Sequence, residues 1–296
     1  MAAIPFIRDV NITHGVIEDL SPLIRRVTAN NPGGFTFTGT GTYIIGRGNV
    51  AVIDPGPLLD EHLKAIETAL EGETITHILI THTHNDHSPA AKPLKESSGA
   101  RTYGYGPHGG ERADERDEGA DWDFKPDVEL KHGDVIVGDG WSVECVFTPG
   151  HTSNHMCFAL REEKALFTGD HVMGWSTSIV SPPDGHMKTY MDSLALLLER
   201  DDEIYWPTHG APIHETKSFV QAFIDHRENR EVQISEQLRA GHNQIKDMVP
   251  VMYADIDKRL YPAAARSVFA HMIHMVETGR VRCDGEPAIN SVYNLV

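Results

Sequence analysis

Thr81-His82-Thr83-His84-Asn85-Asp86-His87 is the stretch on which the reading of this chain turns. Four side chains able to bind a metal ion fall within six residues, directly after the apolar run Ile75 to Ile80, which predicts a buried strand. Imidazoles two apart share one side of an extended backbone, and the carboxylate and third imidazole that follow at once have no use in core packing. The stretch therefore predicts a metal site at the carboxyl end of a central strand. One cluster does not complete a coordination shell, and the chain supplies more candidates where other apolar runs end: His151 after Gly150, Asp170 after Gly169, and His209 before Gly210.

Together His82, His84, Asp86, His87, His151, Asp170 and His209 offer five imidazoles and two carboxylates, too many for one tetrahedral ion and suited to two. The expected division gives His82, His84 and His151 to one ion and Asp86, His87 and His209 to the other, with Asp170 as the bridge. Such nitrogen and oxygen donors favour zinc, with iron or manganese as alternatives. Two ions make a hydroxide available near neutral pH and polarise a carbonyl or phosphoryl oxygen. Asp86 and Asp170 are the candidate catalytic carboxylates, although as a ligand Asp86 is a poor freely titrating base.

This arrangement resembles the metallo-β-lactamase superfamily of dinuclear hydrolases, whose HxHxDH motif stands complete at residues 82 to 87. The later ligands of that family match His151 after Pro149-Gly150, Asp170 after Gly169, and His209 before Gly210. The resemblance covers roughly residues 10 to 215 and implies an α+β fold, an αββα sandwich with the metals at one sheet edge. It also assigns Asp54 the part of orienting the metal loop without ligating.

Outward from the central strand, the patterning is consistent with that class. On the amino-terminal side, Val50 to Ile53 predicts a strand stopped by Asp54-Pro55-Gly56. Asp60 is placed to cap a helix whose Leu63, Ile66, Ala69 and Leu70 form one stripe. Phe35 to Ile45 has strand composition, and the weak pattern of the first 30 residues predicts an edge strand and an irregular turn. Past the motif come a helix over Ala90 to Glu96, a strand over Arg101 to Tyr105, and a polar loop, Gly106 to Asp121, at the rim of the cleft. Val135 to Val137, Ser142 to Phe147, His155 to Leu160 and Lys164 to Phe167 predict successive short strands of an antiparallel or mixed sheet. Val172 to Gly185 reads as a loop, Leu194 to Leu198 as part of a helix, and Glu203 to Trp206 as a last strand.

The composition changes after Ile213. Helices are expected over Thr216 to Leu238, Gln244 to Met252 and Pro262 to Glu277, followed by a hairpin of Val281 to Cys283 with Ser291 to Leu295. We therefore divide the chain into a catalytic domain, 1–212, and a small, mainly helical winged-helix-like domain, 213–296. The tail resembles the end of a superfamily subgroup that includes a mitochondrial endoribonuclease, through Ala264, Ser267, Val268, His271 and Gly279-Arg280-Val281.

The formal charge of −17 argues against nonspecific attraction to nucleic acid or an anionic membrane. From Ile213 onward there are 11 acidic and 10 basic residues, a net of −1, so the first 212 residues carry −16. No apolar run approaches membrane-spanning length, the amino terminus lacks a secretory pattern, and Cys145, Cys157 and Cys283 are too scattered for a disulfide framework. A cytoplasmic setting is expected. Tyr103, Tyr105, Trp122 and Trp175 are candidates for an aromatic wall, Ser176 and Thr177 for hydrogen bonds to substrate, and His171 for a position facing the cleft. The expected partner is a small acyl compound: an ester, lactone, thioester or amide. Single-stranded RNA cleavage is the alternative activity, and a noncatalytic RNA- or protein-binding module with a structural metal is a third reading. The third tail helix lacks a basic band, so packing on the catalytic domain, or on a second subunit in a homodimer, is expected of it.

Overall fold

The computed structural model describes residues 4–109 and 119–296, so most of the expected polar loop at Gly106 to Asp121 lies outside the described residues. Its first sheet runs in chain order: β1 (Ile17–Asp19), β2 (Ile24–Thr28), β3 (Gly41–Ile45), β4 (Asn49–Ile53), β5 (Thr74–Leu79), β6 (Arg101–Gly104) and β7 (Val128–Glu129). Pairing is antiparallel from β1 to β4 and parallel from β4 to β7. The change of direction at β4 follows from the connection: Asp54-Pro55-Gly56 stops the strand and α1 (Asp60–Ala69) carries the chain back to begin β5 alongside. The second sheet has the order β12 (Ile204–Pro207), β11 (Ala165–Gly169), β10 (Met156–Leu160), β9 (Ser142–Phe147) and β8 (Val135–Val137). It is antiparallel except between β11 and β12, which α3 (Met187–Glu199) connects.

The two sheets pack face to face through Tyr43, Ile53, Leu79, Trp141, Phe158 and Phe167. Each large side chain removed from water there contributes about 1.5–3 kcal/mol before the cost of ordering it. α1 and α2 (Ala91–Ser98) cover the outer face of the first sheet with Ile66 and Leu94 against Val52 and Ile78. On the outer face of the second, Tyr190, Leu194 and Leu197 of α3 meet Val146, Cys157 and Leu166. The order helix, sheet, sheet, helix is the expected α+β sandwich. β10 and β11 are buried along their whole length, which explains why they read as largely apolar runs without alternation, whereas the equally buried β2 carries Arg25 and Arg26, which pair with Glu73 and Glu18.

α4 (Thr216–Arg239) belongs to two packing groups. Its first half lays Phe219, Val220 and Phe223 on the second sheet's helical layer, and its second half gives Ile234 and Leu238 to a separate cluster with Met248, Val268, Met272 and Tyr293. That second cluster unites α5 (Ile245–Met252), α6 (Tyr261–Glu277) and the hairpin β13 (Val281–Cys283) with β14 (Tyr293–Leu295). Between the helices, Glu231 of α4 receives His271, His274 and Arg280 at 3.1, 2.7 and 2.6 Å.

Local departures from expectation have clear causes. Asp60 is the first residue of α1 instead of its cap, which is the extended Leu59 with no side-chain bond. There Asp60 and Glu61 still meet the positive end of the helix dipole. The strand expected from Phe35 begins only at Gly41, because Phe37 is left-handed at φ +52° and its N–H donates back to Gly33 O at 2.9 Å. The opening residues make two strands, β1 and β2, where one was expected.

Candidate metal centre

The metal loop is set by a contact between two strand ends. Asp54, buried and left-handed at φ +47°, accepts Thr81 N–H at 2.8 Å and the Thr81 hydroxyl at 2.6 Å, while its own N–H donates to Leu79 O at 2.9 Å. The chain therefore leaves β5 in one fixed direction. It then turns through His87 N–H to His84 O at 3.0 Å, and Gly56 N–H closes the loop on His87 O at 3.0 Å. His151 arrives on the turn after β9, Asp170 directly after β11, and His209 after β12. Every candidate thus stands at the same edge of the sandwich.

Hydrogen bonds to the outer ring nitrogens fix which nitrogen of each imidazole faces inward. Nδ1–H of His87 donates to Asp54 Oδ2 at 2.9 Å, that of His151 to Ile179 O at 2.6 Å, and that of His209 to Gly39 O at 3.1 Å. The Thr81 hydroxyl gives its proton to Asp54 and so accepts from His82 Nδ1 at 3.1 Å. All four rings consequently turn Nε2 to the centre. His84 presents Nδ1 instead, 3.0 Å from His82 Nε2 and 3.2 Å from His151 Nε2. Across the centre, His209 Nε2 is 3.1 Å and His87 Nε2 is 3.3 Å from Asp86 Oδ2. Asp170 touches both sides: Oδ2 is 3.9 Å from His151 and 3.6 Å from His87, and Oδ1 is 3.4 Å from His209. These distances give the two expected triads with Asp170 between them, and a further overlapping group of His82, His87 and Asp170.

The electrostatics divide the imidazoles. Burial, reinforced by neighbouring His87, His84 and His151, holds His82 well below the ordinary histidine range and therefore neutral. Burial opposes charge on His209 too, but Asp170 and Asp86 outweigh it and push the ring up to about 10. His87 is likewise held well above its ordinary value against burial, by Asp86, Asp170 and Asp54. Asp86 and Asp170 are in turn held well below the usual carboxylate range, since the nearby His87 and His209 overcome the penalty of burial. His87 Nε2 and Asp170 Oδ1 are buried without a hydrogen-bond partner among the described residues. Inward orphan donor atoms, and a donor set of imidazoles and carboxylates, fit two divalent ions held by these groups.

A residue missed in sequence reading stands behind them. His155 is fully buried, accepts Asp170 N–H through Nε2 at 3.2 Å and reaches Thr148 Oγ1 through Nδ1 at 2.9 Å. It positions the backbone of Asp170, and it explains Gly169: at φ +51°, an added Cβ would lie 2.6 Å from the same His155 nitrogen. Its four-residue spacing from His151 is the one signal the sequence offers, and the strand pattern of 155–160 masks it.

The expected substrate-contacting residues separate. Trp175, Ser176 and Thr177 line the cavity above His151 and Asp170, together with Phe35 and Ile179. Trp175 stacks on Phe37 at 4.8 Å between ring centres, giving this wall a rigid aromatic step that the sequence reading had placed in a strand. Trp122 meets His108, whose ring lies 6.0 Å from that of His84, so it stands one ring removed from the ligands. Tyr103 instead packs on His77 beside the inter-sheet core, and Tyr105 stacks on Phe147 at 4.1 Å. His171 is fully buried against Tyr190 at 4.9 Å and is not among the residues lining that cavity.

Fold and site together define an enzyme of the metallo-β-lactamase fold, with clusters able to hold divalent ions. Residues 36–209 match the profile of the metallo-beta-lactamase superfamily, and the chain belongs to that superfamily. Residues 245–288 match the beta-lactamase associated winged helix domain. The chain is similar to the lactamase-like protein adaB of Aspergillus niger, with 29% identity over 92% of this chain and 86% of that one. It is 32% identical to the atrochrysone carboxyl ACP thioesterase dmxR1 of a Cryptosporiopsis species, over 78% of this chain and 68% of the relative. Among solved structures, a beta-lactamase domain protein from Burkholderia ambifaria aligns with TM-score 0.79 and 17% identity over 97% of this chain and 96% of its own. A metallo-beta-lactamase family protein from Thermus thermophilus aligns at 0.76 and 20%, over 94% and 100%. These two likenesses extend through the carboxy-terminal helices as well as the sandwich.

Proposed function

We propose that the protein hydrolyses a small acyl compound, an ester, lactone, thioester or amide, and that a thioester is the leading member of that class. The carrying observation is the position of Asp170, within 3.9 Å of His151 on one side and 3.4 Å of His209 on the other, which suits a bridge between two ions. The name of the Cryptosporiopsis relative supports the choice of thioester. Zinc suits this donor set best, with iron or manganese as substitutes. When bound, the ion pair would supply a hydroxide near neutral pH and polarise the acyl carbonyl.

The chain's own groups do the remaining work. Asp54 keeps a proton of His87 on Nδ1, and the carbonyls of Ile179 and Gly39 do the same for His151 and His209, so Nε2 is the nitrogen each ring offers to an ion without having to rotate. Thr40 donates to Asp86 Oδ2 at 3.2 Å and so helps hold that oxygen beside His87 and His209. The Trp175 and Phe35 wall shields the acyl group from bulk water on one side. Cysteine chemistry has no part here: burial pushes the Cys145 and Cys157 thiols up to about 12. These unpaired thiols favour a reducing, cytoplasm-like compartment.

The test is turnover by metal-loaded protein on matched thioester, ester, lactone, amide and single-stranded RNA substrates, with His84→Ala and Asp170→Asn as controls. Acyl hydrolysis lost in both variants supports the proposal. RNA cleavage lost in both, without acyl turnover, transfers it to the endoribonuclease reading.

A further inference from the structure

A cavity of about 680 Å³ opens between loop 176–181 and the start of α6, and it shares Phe35, Ser176, Thr177 and Ile179 with the smaller cavity above the metal ligands. Arg227 of α4 lines it and is only 4% exposed. The guanidinium donates to Ser178 O and lies over the Tyr190 ring, 5.2 Å from its centre, but among the described residues no carboxylate is within salt-bridge reach of it. Among the described residues its Nε is buried without a hydrogen-bond partner, and so is Oγ of Ser181, a residue 8% exposed that lines the same cavity. A buried cation with no counter-ion costs several kcal/mol unless something supplies the missing charge. One carbonyl and one aromatic face supply only part of it. The other cations at the rim are Arg259, paired with Asp257 at 2.6 Å, and Arg266.

The loop also limits how far this group is from the chemistry. Arg227 bonds the carbonyl of Ser178, and His151 bonds the carbonyl of the next residue, Ile179. Adjacent residues are 3.8 Å apart along the chain, so the guanidinium and the imidazole lie within roughly 10 Å of each other, two hydrogen bonds included. That span suits a carboxylate a few carbons from the scissile carbonyl. It is too short for a phosphate at the far end of an extended carrier arm.

We propose that Arg227 and Ser181 bind a carboxylate on the acyl portion of the substrate, making the protein selective for acidic acyl groups. This rests on the acyl-hydrolase reading above. An overall charge of −17 gives such a substrate no general attraction to the surface, so selectivity is assigned to this one buried cation.

The test uses the metal-loaded full chain and two N-acetylcysteamine thioesters, glutaryl and its neutral methyl ester. The native chain should favour the acid by about tenfold or more in kcat/KM. Arg227→Met should erase that preference through KM, leaving the neutral thioester within about twofold, and Arg227→Lys should restore part of it. A charge-blind native enzyme, or an Arg227→Met variant that loses both substrates equally, overturns the proposal, the latter reducing Arg227 to a brace for the loop. So does a preference for acyl-phosphopantetheine over acyl-pantetheine that disappears in Arg227→Met, since the anion would then lie on the leaving group. Calorimetric titration with glutarate separates the two readings: binding abolished by Arg227→Met, without any thioester turnover, retains the anion site and removes the hydrolase assignment. Glutarate binding unchanged in the variant removes the anion site.

Discussion

Asp54 fixes the loop that carries the candidate ligands through hydrogen bonds at its start and end. It accepts from Thr81 twice and from His87 once, so Asp54→Asn replaces an acceptor oxygen with an amide that faces at least one of those protons. We expect metal affinity on the Asp86, His87 and His209 side to fall by about 10- to 100-fold, read as loss of one of two equivalents in a chelator competition. Gly169→Ala forces a side chain into His155 and Thr81, with contacts of 2.6 and 3.0 Å, at a left-handed φ. It should cost at least about 1–3 kcal/mol in urea unfolding and reduce turnover by displacing Asp170. The candidate ligands were legible because residues 82 to 87 carry four donors in one short pattern. His155 was not, because its contribution is a hydrogen bond to a backbone N–H far away in sequence, which no local spacing announces.

Elements were legible wherever one face is buried by near neighbours. The stripe of α1 and the continuous apolar runs of β10 and β11 identify themselves, but a stripe does not say which surface it meets. α4 is the clearest case: its apolar positions predicted a helix, and only the structure shows that Phe223 faces the sandwich while Ile234 faces the carboxy-terminal cluster. Phe223→Ala should destabilise the protein by about 3–5 kcal/mol, measured by denaturant unfolding at constant metal. The wall of the cavity was legible only in part, through Trp175, Ser176 and Thr177, for a related reason. It joins Phe35 and Phe37, from a segment with strand composition, to Trp175 on a distant loop and to the first turns of α6, so no single stretch carries its signal.

Across the whole molecule, metal and pH act on the same groups. His87 and His209 hold protons in the metal-free chain, and ions must displace them, so loading at pH 8 should release two or more protons per chain, measured calorimetrically in buffers of different ionisation enthalpy. The sign for stability follows. The raised histidines contribute stability to the metal-free fold that is fully present below the unfolded value near 6.5 and disappears as pH rises through about 10 for His209. The depressed Asp86 and Asp170 contribute stability present above the unfolded value near 3.8 and lost as pH falls through their lower folded values. Metal-free protein should therefore unfold more readily at pH 10.5 than at pH 7.5, and chelation at pH 7.5 should itself remove about 4 kcal/mol for each ion whose free concentration stands a thousandfold above its Kd. The shared packing of α4 carries a practical lesson about cutting the polypeptide. A fragment ending at residue 212, the boundary proposed from composition, would uncover greasy surface on the sandwich and should clump on expression, whereas one ending beyond Gly241 keeps the whole helix as its cover.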